Sequence, residues 1–261
     1  VLVLKDFRKR VTSTTLVALF LAIAATQLCV EFEVFVDMPT GLFGIAVVFP
    51  LVFTINSAFT RREQALAYYG DFTAALSSIY FVHSSYYRAI NQEKRNKSKS
   101  ALEKGESELK DLEVTIKRLV ELVKDDLHAS NKQKTNRLEI YKLFQIISDK
   151  NYMVQSSTER FFANDALACF EKLSSISNYR TPISMRIYLR LFIYIFPICF
   201  APYFATIEAQ AAYIGLLVAT LYVAILFILS AIQDHLENPF DDQGLDDIDL
   251  DEKGKFVEFL E

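Results

Sequence analysis

The chain has 261 residues, 52% of them hydrophobic, with 28 basic against 32 acidic side chains, a net charge of −4 and a sequence pI near 5.6. That weak charge, split between basic helix flanks and an acidic tail, excludes a polyelectrolyte nucleic-acid binder. The positive mean hydropathy of +0.20 is high for a soluble domain, and three cysteines without CxxC spacing exclude a disulfide scaffold or a zinc knuckle.

Crossing a bilayer takes about 20 mainly apolar residues. Four stretches carry no charge over comparable lengths: 11–30, 38–60, 191–207 and 209–233. These predict four transmembrane helices; the competing reading buries them in a soluble core. Lys5, Arg8, Lys9 and Arg10 precede the first span, Arg61 and Arg62 follow the second, and Arg180, Arg186 and Arg190 precede the third. The opposite loops carry only Glu31, Glu33, Asp37 and Glu208. Basic flanks stay on the cytoplasmic side, so both termini are expected in the cytoplasm, or in the stroma of a plastid. The first span shows no small-residue cleavage site and does not read as a removable signal peptide. The chain begins at Val1 without methionine, which leaves room for a targeting sequence ahead of it.

The second span is the most informative stretch. LFGIAVVFPLVFTINSAFTRREQ (residues 42–64) sets Ile45, Phe49 and Phe53 one turn apart on one helical stripe. It ends at Asn56 and the arginine pair that starts with Arg61. Such a stripe either packs on a neighbouring helix or lines a narrow pore. Pro50 removes a backbone donor inside this helix and frees the carbonyl of Ala46, favouring a kink.

Residues 66–90 are too polar to span a membrane comfortably and read as the same helix continuing into the cytoplasm. From 91 to 134 the chain is charged with mixed sign, and Leu102, Leu109, Leu112, Ile116, Leu119 and Val123 follow a 3/4 spacing. A helical hairpin packed on the body and an inter-subunit coiled coil both fit; Gly105 interrupts the pattern and favours the hairpin. Residues 138–177 return to helical periodicity, and Thr181-Pro182 breaks the chain before the third span. The third and fourth spans join so tightly at Glu208 that they read as a bent hairpin. Two of the three cysteines fall in spans, and all three are expected to be free and buried. No useful period-two alternation appears, so the fold class is all-α.

The tail (residues 234–261) carries Asp241, Asp242, Asp246, Asp247, Asp249, Asp251 and Glu252. Phe256, Val257, Phe259 and Leu260 near its end suit docking on a neighbouring subunit, or they fray. No nucleophile elbow, P-loop, zinc motif or dinucleotide fingerprint is present, and the chain does not read as an enzyme.

Three motifs, in order and spacing around four spans, resemble the bestrophin family in its bacterial, fungal, plant and algal branch. GIAVVFPLVFTINSAFTR (residues 44–61) is similar to that family's second helix, with three bulky residues followed by an asparagine, an aromatic and an arginine: Ile45, Phe49, Phe53, Asn56, Phe59 and Arg61. RTPIS (180–184) precedes the third span, and ENPF with a stretch ending DIDLD (237–251) lies where the family has its Asn-Pro-Phe and acidic segment. Gln64 replaces a glutamate common in the relatives, no tryptophan follows the arginine, and the stretch 91–134 is longer and more charged than is usual.

The resemblance implies one bestrophin-like channel domain over 1–261, with a cytoplasmic helical region at 61–190, in a homopentamer around a central pore. The neck would be ringed by Ile45, Phe49 and Phe53, with Asn56 and Arg61 at its mouth and a second constriction at Val154. It implies a passive channel for chloride or a related monovalent anion such as bicarbonate, in a plasma membrane or a chloroplast thylakoid membrane. A cation-conducting homologue and a non-conducting membrane scaffold are the alternatives. In animal bestrophins the matching acidic stretch forms a calcium clasp; here Asp241, Asp242, Asp246 and Asp247 would be the candidates. Their acids are spread out, and an EF-hand register fails at Pro239 and Leu250. A solvated, docked loop without a cofactor is therefore expected.

Overall fold

A computed structural model describes residues 13–37, 40–94, 99–129, 136–154, 157–179, 183–241 and 247–250. They form eight helices and, among the described residues, no strand: α1 (Ser13–Glu31), α2 (Thr40–Lys94), α3 (Lys99–His128), α4 (Arg137–Val154), α5 (Ser157–Asn178), α6 (Ile183–Cys199), α7 (Ala201–Gln210) and α8 (Ile214–Glu237). The chain divides into two compact units, one of residues 1–60 with 181–237, the other of 61–180 with 238–261. The 55-residue helix α2 belongs to both and runs on through Pro50.

In the first unit α1 meets α8 along a seam of small residues, Ala18 and Ala22 against Val223, all buried. Small side chains let helix backbones approach closely, which is how helices gain packing energy where lipid offers no hydrophobic drive. The Thr26 hydroxyl donates to the carbonyl of Ala22 at 2.8 Å, so a buried polar group is satisfied within α1. A second cluster joins Leu51 of α2 to Ile193, Phe196, Phe204 and Leu226. Phe196 stacks on Phe200 at 3.9 Å and on Tyr222 at 4.9 Å between ring centroids. The outward side of this unit is apolar: Phe20 is 72% exposed and Leu217 63%. Among the described residues, α8 is long and apolar enough to cross a membrane, and α6 with α7 meets the same test as a pair; the apolar run of α1, Thr15–Glu31, is shorter.

The third predicted span is broken. Arg190–Cys199 and Ala201–Gln210 meet at 43°, with Phe200 between them, and a proline in the first turn of α7 needs no amide donor and favours a helix start. Helix α6 also starts earlier than the charge-free run, at Ile183. The fourth helix begins at Ile214 rather than 209, because residues 211–213 form a turn in which Tyr213 has a positive φ of 68°. Glu208, expected only as a loop charge, accepts the backbone amides of Tyr213 at 2.6 Å and Leu216 at 3.0 Å. A carboxylate there satisfies orphan amides of the first turn of α8 and suits its dipole. Cys199 is exposed and Cys29 half-buried, against the expectation that all three thiols are buried; only Cys169 is. In sequence, an apolar helix face turned outward looks the same as one turned to the core.

In the second unit the remainder of α2 packs with α3, α4 and α5 around one core. Tyr69, Phe72 and Leu76 of α2 meet Leu112, Ile116 and Leu119 of α3, and Ile140 and Phe170 complete the cluster. The 3/4 face of α3 is thus buried against its own chain, and the helix runs through Gly105. The tail is pinned here by apolar plugs: Phe240, Ile248 and Leu250 are at most 2% exposed. The Tyr69 hydroxyl donates to the carbonyl of Leu250 at 3.0 Å, and the amide of Ile248 donates to that of Pro239 at 2.9 Å. Burial of the Cys169 thiol in this core raises its pKa.

The tightest approach in the first unit is at Gly215. A β-carbon there would lie 2.3 Å from the carbonyl oxygen of Phe204 and 2.6 Å from the amide nitrogen of Glu208, both backbone atoms. Gly215→Ala is expected to lower stability by about 1–3 kcal/mol, the usual cost of overpacking. Thermal unfolding of the detergent-solubilised protein measures it, and an unchanged midpoint contradicts the close approach of α7 and α8.

Candidate functional site: the bare face of the long helix

Between residues 48 and 60, α2 has two opposite faces. Leu51, Thr54 and Ala58 are buried, and the Thr54 hydroxyl donates to the carbonyl of Leu51 at 2.8 Å. On the far side Phe49 is 60% exposed and Phe53 54%, with Asn56 and Thr60 also exposed. At about 100° per residue, positions 49, 53, 56 and 60 lie on one line and 51, 54 and 58 lie opposite. The packing has a simple cause. Leu51 enters the aromatic cluster of the first unit with Ile55 beside it, and small Ala58 permits a close approach, so the phenylalanines are left outside.

Phe49 and Phe53 meet edge-to-face, with ring centroids 4.6 Å apart and planes at 75°. This arrangement sets the positive edge of one ring against the negative face of the other. The Thr60 hydroxyl is turned back to the carbonyl of Asn56 at 2.9 Å, which satisfies it within the helix. Ile45 lies in α2 at the same register, but its side chain falls outside the described residues.

Arg61 belongs to the second unit. Its guanidinium donates to the carbonyls of Ile176 and Tyr179, at the C-terminal end of α5. The last carbonyls of a helix lack intrahelical donors and carry partial negative charge, so an arginine is well matched to them. Arg62 pairs with its neighbour Glu63 at 2.6 Å. The sequence marks Arg61 as a basic flank; its partners are backbone carbonyls 115 and 118 positions away, which no side-chain pattern announces.

Val154 is the last residue of α4, and its side chain falls outside the described residues. Of the acidic candidates, Asp241 accepts the side-chain amide of Asn238 at 2.9 Å and Asp247 is half-buried. Asp242 and Asp246 lie outside the described residues, as do Thr181-Pro182 and residues 251–261 with Phe256, Val257, Phe259 and Leu260. Among the described residues no group of three or more His, Cys, Asp or Glu is placed to hold a metal ion.

No family model matches the sequence, and no curated protein matches it. Solved structures do. A bacterial Bestrophin homolog from Klebsiella pneumoniae carrying one substitution superposes with a TM-score of 0.72 at 12% identity, covering 96% of this chain and 97% of that one. A second variant of the same homolog gives 0.70 at 13% identity over 94% and 97%, and a structure of it phased with zinc gives 0.66 at 13% over 94% and 95%. The fold of this chain is that of these bestrophin homologs over nearly its whole length.

The contacts of Arg61 generate a stability prediction. Arg61→Met removes charge-assisted hydrogen bonds from two helix-end carbonyls and is expected to cost about 2 kcal/mol, while Arg61→Lys recovers only part of that loss. Denaturant unfolding monitored by circular dichroism measures both, and wild-type stability in Arg61→Met contradicts the capping role.

Proposed function

We propose that this chain is the subunit of a passive ion channel, a homopentamer around a central pore, conducting chloride or a related monovalent anion such as bicarbonate. The observation that carries the reading is the bare aromatic face of α2. Phe49 and Phe53 are more than half exposed on a helix whose other side is fully committed to the core. A contiguous exposed apolar surface seeks a partner or lipid. Closed cyclic symmetry turns one such face into stacked rings around an axis. The shared fold with bestrophin homologs supports that arrangement, with Ile45, Phe49 and Phe53 as the neck, Asn56 at its mouth, Arg61 fixing the helix just beyond and Val154 as a second constriction.

An apolar ring gates by dewetting, because an unpaired ion in a low-dielectric gap is costly. Inward-turned phenylalanine edges lower that barrier for a weakly hydrated anion more than for a cation, since the ring edge is its positive part. The reading puts the first unit in a plasma or thylakoid membrane, its apolar outer surface against lipid, and both termini in the cytoplasm or stroma. It assigns no catalysis. The acidic tail is given a structural role, since the apolar plugs Phe240, Ile248 and Leu250 hold its described part. Cation conduction is the second reading, favoured by the exposed Glu31, Glu33 and Asp37 after α1.

Reconstitution into liposomes tests the proposal. Flux above background is expected, with a reversal potential in asymmetric potassium chloride on the chloride side; background flux identifies a non-conducting scaffold instead. Phe49→Ala with Phe53→Ala is expected to raise the conductance or abolish gating, and unchanged currents contradict neck lining. Chelation of calcium is expected to leave the current intact. Loss of current on chelation, reproduced by Asp246→Ala with Asp247→Ala, contradicts the structural role of the tail.

A further inference from the structure

The loop between α1 and α2 exposes rings and aliphatic groups that water does not suit. At the end of α1 the amide of Val34 donates to the carbonyl of Cys29 at 2.8 Å and the amide of Glu33 to that of Val30 at 3.2 Å, while Glu33 has a positive φ of 56°. This is a Schellman turn, usually built on glycine. Further along the loop, the carbonyl of Val36 accepts the Thr206 hydroxyl of α7 at 3.4 Å. The loop is thus seated beside α7, whose last residue, Gln210, is followed by the turn that carries Tyr213. All of these residues belong to the first unit.

Phe32, Val34, Phe35 and Val36 are all exposed, and Tyr213 is 78% exposed. Leu28, one turn before Phe32 on α1, is exposed too, so the loop continues the apolar outer side of the unit. The 19 residues of α1 rise roughly 28 Å, close to the ~30 Å of a bilayer's hydrocarbon. Its end therefore falls where hydrocarbon gives way to headgroups. The exposed acids Glu31, Glu33 and Asp37 are interleaved with the apolar residues. That mixture matches a layer offering acyl carbons to rings and ammonium groups to carboxylates. A second copy of the same end matches it badly: residues 31–60 and 191–216 contain no Lys, Arg or His, so the copy would set acids against acids.

We infer that residues 32–36, with Tyr213, form a lipid-contact surface seated in the headgroup layer, and that its acids make it take zwitterionic phospholipid in preference to anionic phospholipid. The inference rests on the membrane placement of the first unit given above and is independent of conduction.

The chain has no tryptophan, so a single introduced indole reports its own surroundings. Phe32→Trp and Phe35→Trp are made separately in the full chain, with Phe20→Trp, near the middle of α1, as the deep reference. Each is reconstituted into phosphatidylcholine vesicles brominated either near the carbonyl end of the acyl chain or near its middle. Phe20→Trp fluorescence is expected to be quenched most by mid-chain bromine. Phe32→Trp and Phe35→Trp are expected to be quenched about twofold more by bromine near the carbonyls than by bromine at mid-chain. In mixed vesicles, brominated phosphatidylcholine is expected to quench Phe32→Trp about twofold more than an equal fraction of brominated phosphatidylglycerol, a difference removed by Glu31→Gln with Glu33→Gln and Asp37→Asn. Quenching at position 20 with none at 32 and 35 shows water or a second copy over the loop; it overturns the lipid contact and leaves the membrane placement standing. Equal quenching by the two headgroups overturns the preference. No quenching at any of the three positions takes the first unit out of the bilayer, and the inference falls with that placement.

Discussion

Among the described residues, α2 is buried on one side and bare on the other between positions 48 and 60, and that asymmetry is the constraint on which the functional reading depends. Leu51 and Ala58 in the first unit, and Tyr69, Phe72 and Leu76 in the second, fix the buried line. Burying a large apolar side chain contributes about 1.5–3 kcal/mol, so these residues decide which way the helix faces. Phe49 and Phe53 are outside because the core has already taken the opposite line. Their exposure follows from the packing of other residues, and the proposed neck depends on it.

Several devices keep that helix in position. In the first unit the aromatic stack of Phe196, Phe200 and Tyr222 packs in the same cluster as Leu51. In the second, Arg61 caps α5, and the Tyr69 hydroxyl holds the tail segment through the carbonyl of Leu250. Glu208 and Gly215 close the turn between α7 and α8, one by supplying acceptors for free amides and the other by leaving room for a backbone. Arg61, Tyr69 and Glu208 pair with main-chain groups, and Gly215 leaves out an atom that would clash.

The parts legible in sequence were those written in side-chain periodicity. The shared line of Phe49 and Phe53, the continuation of α2 past residue 66, and the apolar face from Leu112 to Val123 all follow from 3.6 residues per turn. Helix α3 runs on through Gly105, because a propensity cost of about 1 kcal/mol is small against the packing that follows it, and its apolar face is buried in its own chain, as the packed-hairpin reading has it. The break at Phe200 and the turn at Tyr213 were hidden inside an apolar run in which hydropathy is uniform. Glu208 looked like a loop charge and is a helix cap. Arg61 could not be paired from sequence, because its partners are main-chain carbonyls. Exposure of Cys199 was illegible for a related reason: where the outer medium is as apolar as the core, composition does not distinguish the two.

The central claim is that the bare face of α2 borders a water-filled ion path. Its most direct test places a cysteine at position 53, in a protein whose Cys29, Cys169 and Cys199 are alanine, and follows single-channel current while a charged, water-soluble thiol reagent is added. Prompt and irreversible alteration of the current in Phe53→Cys, absent from the cysteine-free parent, is the predicted result. A conducting Phe53→Cys channel that the reagent never touches would place that side chain against lipid or a sister helix and contradict the account.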